Sequence, residues 1–219
     1  MSRGPTGRKC RLQFCYTARD GPEGVTYVGA APEFPRRGRR PLTITNQPMT
    51  DTTTDRASTT GVALRDATPD DIPTILALVR ELAEYERDPK AAVATPELLY
   101  AAMFASGAVA HAVMAEDGDE PLGFALYFFN FSTWTGRPGL YLEDFYVRPF
   151  ARGRGIGTTL FRHLARIARE RGCGRMELSV LTWNLEPMRL YERLGGQRLS
   201  NWTTYRFDES TIAKLAGDE

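Results

Sequence analysis

The run Arg152-Gly153-Arg154-Gly155-Ile156-Gly157 narrows the fold more than any other part of this chain. It follows a strand-like stretch, Leu140 to Val147. It precedes a segment in which Leu160, Phe161, Leu164, Ile167 and Ala168 fall on one helical face. Glycines at this density let the backbone turn tightly and approach a ligand without Cβ atoms in the way. A helix that starts here leaves the N–H groups of its first turn unpaired, and with the helix dipole they form an anion site suited to phosphate. Arg152 and Arg154 add positive charge. A Walker A loop would need Lys-Ser/Thr after the last glycine, but Thr158-Thr159 follow. A dinucleotide fingerprint would need repeated βαβ units with a spaced acidic residue, and the rest of the chain lacks that repetition.

Around this turn the pattern alternates between helix and strand. Val62 to Arg65 reads as a short strand, and Thr68-Pro69-Asp70-Asp71 opens a helix, with Thr68 as cap and the aspartates at its positive end. Its inward face is Ile72, Ile75, Leu76, Val79, Leu82 and Ala83. Thr95-Pro96-Glu97 opens a second helix, to about Phe104. Strands are expected at 109–116, 121–130, 140–148, 175–182 and 202–208, a helix at 155–171 and a short one at 187–194, with a loop from Asn130 to Pro138. This is a mixed α/β domain over residues 61–219. Residues 1–60 read as a disordered basic, Thr-rich tail outside it. Residues 1–48 hold nine basic and three acidic residues, so the remainder has 28 − 9 = 19 basic against 27 − 3 = 24 acidic. A mildly acidic domain suits a cationic substrate, and no nucleic-acid partner is expected, although Arg36-Arg37-Gly38-Arg39-Arg40 could serve as a nucleic-acid anchor. There is no apolar run of membrane-spanning length, and Cys10, Cys15 and Cys173 form no disulfide or zinc framework, so a cytoplasmic protein without a metal site is expected.

Two further elements carry chemistry. Glu143 and Asp144 sit together in an apolar strand, where carboxylates are costly unless used or paired. Strict alternation would place them on opposite faces, one available to bind a cation or deprotonate an amine, the other structural. Downstream, Asn184 stands at a strand-to-helix corner, and Tyr191, about two turns on, offers a phenol that can protonate a leaving thiolate.

Strand, Arg-x-x-Gly-x-Gly, amphipathic helix, strand, Asn-x6-Tyr and a terminal glycine, in that order, resemble the GNAT N-acetyltransferase superfamily over roughly residues 62–215. Glu81 to Glu86, Asn130 to Trp134, Tyr141 to Val147 and Trp183-Asn184 look most like its diamine acetyltransferases, the spermidine/spermine type. The resemblance implies a central mixed, mostly antiparallel sheet splayed between two parallel strands and flanked by helices. It implies acetyl-CoA in the splay, with Phe145, Tyr146 and Val147 on the acetyl and pantetheine part. Arg152, Gly153, Arg154, Gly155, Ile156, Gly157 and Thr158 would hold the pyrophosphate, and Asn184, Pro187 and Tyr191 the far side. Tyr191 is then the general acid and Glu143 the relay for the amine proton. Tyr85, Glu86, Trp134, Glu143 and Asp144 would surround the amine, a small diamine, polyamine or lysine-like molecule, in a homodimer. Direct attack needs a neutral amine, since an alkyl ammonium has no lone pair, and strand N–H groups would stabilise the oxyanion. Ser132 stands where an acid would grip a long polyamine, which favours shorter amines. Acetylation of protein lysine or an N-terminus, and a CoA-binding regulatory module without turnover, are the alternatives.

Overall fold

The computed structural model describes residues 61–217. The expectations for residues 1–60, including the basic run at 36–40, lie outside the described residues. The elements are β1 (Ala63–Asp66), α1 (Ile72–Tyr85), α2 (Pro96–Met103), β2 (His111–Asp117), β3 (Glu120–Ser132), β4 (Arg137–Val147), α3 (Ile156–Glu170), β5 (Arg175–Leu178), α4 (Leu185–Arg193) and α5 (Glu209–Ala216). One five-stranded sheet runs in chain order. The pairs from β1 through β4 are antiparallel, and β4 pairs with β5 in parallel. Among the described residues no helix is long and apolar enough to cross a membrane.

Local chemistry fixes the element starts. Thr95 Oγ1 accepts from the Leu98 N–H at the head of α2. Ahead of α1, the Asp71 carboxylate accepts from the Thr68 N–H at 2.7 Å and from both terminal nitrogens of Arg65. Asp71 therefore does more than complement a helix dipole: it ties β1 to α1. Arg65 also pairs with Glu116 on β2. Those hydrogen bonds, led by Arg65, hold the Asp71 carboxyl below its usual range against the cost of burial.

Both sheet faces are covered. On one, Leu160, Leu164, Ile167 and Ala168 of α3 pack with Val113, Leu140 and Leu142. On the other, Ile72, Ile75 and Leu78 of α1 and Met103 of α2 pack with Met114, Phe124 and Tyr146. β3 lies between these layers, and each residue from Leu122 to Tyr127 is buried, as its continuous apolar run predicts.

Three sequence expectations give way. The loop at 130–138 shrinks, because β3 runs on to Ser132 and β4 begins at Arg137. Residues 202–208 form no strand, because none of the described strands pairs with them; α5 follows instead. The third concerns the site. Leu126 pairs with Asp144, but Tyr127 pairs with Leu142, so Glu143 is an extra residue in β4. This β-bulge breaks the alternation. Leu140, Leu142, Phe145 and Val147 all pack toward α3, leaving Glu143 and Asp144 together between them, turned away from that core. Asp144 shares its face with its partner Leu126 and with Tyr146, on the α1 side.

The bulge also opens the sheet. β4 pairs with β5 only from Gly139–Leu142 against Arg175–Leu178. Beyond it the two chains part, which shortens β5 relative to the expected 175–182.

Candidate active site

The parting strands bound a cleft of about 640 Å³. One wall is β4 from Leu142 to Val147, and the other is Leu178 to Leu181. The start of α3 and α4 close it along its length, and Leu82, Tyr85 and Glu86 of the α1 end reach it from the side.

The glycine-rich turn borders this cleft. Gly153 and Gly155 have φ of 77° and 78°, in the left-handed region, and a Cβ at either would meet no atom within 4 Å. Gly155 caps α3, a helix of 15 residues, so the N–H groups of Ile156, Gly157 and Thr158 begin a full helix dipole at the cleft. Open space over positive-φ glycines at a helix N-terminus fits a pyrophosphate group. Gly157 plays another part, since a Cβ there would lie 3.4 Å from Leu190 and 3.6 Å from the Phe145 ring. That position lets α4 pack closely on α3 and β4.

Arg152 and Arg154 separate. The Arg152 Nε donates to the Val147 carbonyl at 3.0 Å, and its guanidinium lies over the rings of Tyr85 (4.8 Å) and Tyr146 (5.8 Å). Arg154 turns to Asp117 at 2.6 Å and does not line the cleft. Asn184 is buried, and its Oδ1 accepts from the Tyr85 hydroxyl at 2.8 Å. This bond ties the end of α1 to the start of α4, joining the expected amine side of the site to its expected cofactor side. Pro187 and Thr158 also line the cleft.

Tyr191 is half-buried between the rings of Phe145 and Phe161, at centroid distances of 6.3 and 5.8 Å. Burial first, and the charge of Glu86 second, push its hydroxyl up to about 12, so it stays protonated at neutral pH. Glu143 is exposed on the bulge, while Asp144 is half-buried. Burial, then the charges of Glu143 and Glu86, raise the Asp144 carboxyl to about 6. Burial also raises Glu86. Among the described residues no cation pairs with these three carboxylates, which all face one cleft.

Two expected residues lie elsewhere. Trp134, 87% exposed, stands at the tip of the β3–β4 hairpin, and Ser132 is buried at the base of that tip. Neither lines the cleft. Arg193 and Arg206 do line it and are not among the residues the sequence points to. Arg193 could have been found from its spacing behind Tyr191 on α4, whereas Arg206 gave no signal inside an expected strand. Among the described residues no group of His, Cys, Asp and Glu is arranged to hold a metal.

Sheet order, splayed parallel pair and glycine-rich helix start agree with what the comparisons show: residues 76–196 match the Acetyltransferase (GNAT) family, and the chain belongs to it as an N-acetyltransferase. Among its relatives, thialysine N-epsilon-acetyltransferase of Bos taurus is 39% identical over 167 residues, 71% of this chain and 98% of the cattle protein. The spermidine/spermine N(1)-acetyltransferase-like protein 1 of Homo sapiens is 33% identical over 71% of this chain and 24% of its own. Of solved structures, an integron cassette protein from the mobile metagenome of V. cholerae superposes with a TM-score of 0.61 at 27% identity, covering 71% of this chain and 98% of that one.

Proposed function

We propose that this cleft binds acetyl-CoA along the splayed strands and passes its acetyl group to the primary amine of a small cationic molecule, a diamine, polyamine or lysine-like amine. One observation carries the proposal: Glu86, Glu143 and Asp144, paired with no cation among the described residues, face the same cleft as the glycine-rich turn. Half-buried carboxylates left unpaired, as at Glu86 and Asp144, are costly, and an ammonium ligand offsets that cost. Relatives named for thialysine and for spermidine/spermine fit this substrate class.

Acetyl-CoA supplies an acetyl group already activated as a thioester. The first-turn N–H groups of α3, with Arg152, hold the pyrophosphate, while Phe145 to Val147, Asn184 and Pro187 hold the arm. The amine binds as a cation beside Asp144 and Glu86. It must lose a proton before attack. Glu143, exposed on the bulge, takes that proton through water, and Asp144, titrating near 6, assists. Tyr191 keeps its own proton at neutral pH and holds it for the departing sulfur. A homodimer in the cytoplasm belongs to the same reading, supported by the exposed Leu199, Trp202, Tyr205 and Phe207 of the C-terminal segment and by the scattered cysteines of the sequence.

Free-thiol release from acetyl-CoA, measured against a panel of diamines, polyamines, lysine analogues and lysine peptides, tests the proposal. Release with the small amines is expected. Release with peptides alone would move the substrate to proteins. Acetyl-CoA binding without release by any amine would leave only a binding module.

A further inference from the structure

The end of α1 is clasped to the start of α4 through Tyr85. Its hydroxyl donates to Asn184 Oδ1 at 2.8 Å, and Asn184 is buried. The Tyr85 ring lies 6.2 Å from that of Trp183. Two residues on, Arg87 sits at φ 66°, a left-handed conformation uncommon for a residue with a Cβ, and its guanidinium lies over the same Trp183 ring at 4.9 Å. Tyr85 is therefore set in place by contacts on both of these helix ends.

The same Tyr85 ring carries the Arg152 guanidinium at 4.8 Å. Arg152 opens the glycine-rich turn. Its Nε is engaged by the Val147 carbonyl at 3.0 Å. Among the described residues, the one carboxylate within 4.0 Å of its terminal nitrogens is that of the exposed Glu186. The ring and the carbonyl thus steady a long, flexible side chain and leave its terminal N–H fork to a ligand, a geometry matched to phosphate.

We propose that Tyr85 is a positioning residue for the donor: it holds the Arg152 fork ready for the pyrophosphate of CoA and does not contact the amine. The proposal deepens the acetyl-CoA reading above and rests on it. Successive residues of a helix point about 100° apart, so neighbours can serve different ligands. Tyr85 reaches Arg152 and Asn184 on the donor side, and Glu86 is left to the acids of the cleft. Sequence pattern had set both beside the amine. Affinity for the donor then scales with the fraction of molecules whose fork is in place. The Arg152 side chain is 30% exposed, and a cation–π contact at a partly buried site alters such a fraction by about 5- to 30-fold.

Calorimetric titration of CoA into the full-length chain tests this without turnover. Tyr85→Leu should raise the Kd for CoA by about 5- to 30-fold. Tyr85→Phe, which keeps the ring beside Arg152, should recover most of that loss. With Arg152→Ala already in place, Tyr85→Leu should add less than about twofold, because the two substitutions remove one interaction. Tyr85→Gln, at home in a helix, takes the place of the leucine variant should that one fail to fold. An equal loss in both backgrounds would overturn the link to Arg152. Unchanged CoA affinity in Tyr85→Leu, with a raised KM for the amine, would return Tyr85 to the acceptor side and sink the proposal. A wild-type chain that binds no CoA would instead defeat the acetyl-CoA reading itself, and this inference with it.

Discussion

Asp144 offers the sharpest test of the site's electrostatics. Burial, Glu143 and Glu86 move its carboxyl from 3.8 to about 6. At 1.36 kcal/mol per unit, 6 − 3.8 = 2.2 units correspond to ~3 kcal/mol by which the folded state disfavours the charged form. The folded value lies above the unfolded one, so between pH ~4 and ~6 the native state binds more protons. In that window stability falls as pH rises, and above it the full penalty is present. Asp144→Asn removes the charge and keeps the shape. At pH 8 the variant should be the more stable by up to ~3 kcal/mol, and near pH 4 the difference should vanish. For a chain of this size, with about 2–4 °C per kcal/mol, the gap in Tm at pH 8 is roughly 6–12 °C. Thermal unfolding followed by circular dichroism, both proteins scanned in parallel from pH 4 to 8, reads it directly, and taking the difference cancels the titrating groups that do not couple to Asp144. A Tm difference that stays constant over this range, or an Asn variant less stable at pH 8, would refute the reasoning. Should the carboxylate grip the amine, the same variant also has a raised KM for it.

Two other perturbations separate the halves of the site. Tyr191→Phe should lower kcat by about 10²- to 10⁴-fold, the range of a general acid, with acetyl-CoA affinity nearly unchanged by calorimetry; a wild-type kcat would remove the phenol from the reaction. Gly155→Ala puts a Cβ on a residue at φ 78°, which costs about 1–2 kcal/mol and narrows the anion cradle, so both a lower Tm and weaker CoA binding are expected. CoA binding at full strength would show that the phosphate sits elsewhere.

Much of this architecture could be read from residue spacing. The glycine-rich turn, the buried face of α3 and the cap at Thr95 follow from local rules that tertiary context did not disturb. The failures have physical reasons. Counting by twos assumes an unbroken ladder, and only the register between β3 and β4 reveals the extra residue at Glu143. Residues 202–208 have strand chemistry, but a strand is a relation between two segments, and no described strand of the chain supplies the second. Arg154 carries the charge an anion site wants, yet Asp117, brought in by the β2–β3 turn, draws it off at 2.6 Å. Trp134 lies next to the apolar run of β3 in sequence, but thirteen residues of strand carry it to the hairpin tip, far along the sheet from the glycine turn.

The inserted residue in β4 works as a wedge with two edges. It pries the parallel pair apart, and it rolls a second acid to the side of the first. Slot width and acceptor charge are thus set by a single count of residues. Deleting Glu143 would zip β4 onward along β5 and leave Asp144, next after Leu142 in an unbroken ladder, as the one acid on its face, erasing both at once. Selection for a new amine can change the identity of the residues at 143 and 144, but it cannot change their number without losing the donor slot. The chain's room for variation in specificity is therefore confined to the movable surroundings: the end of α1, the last turn of α4 and the C-terminal segment.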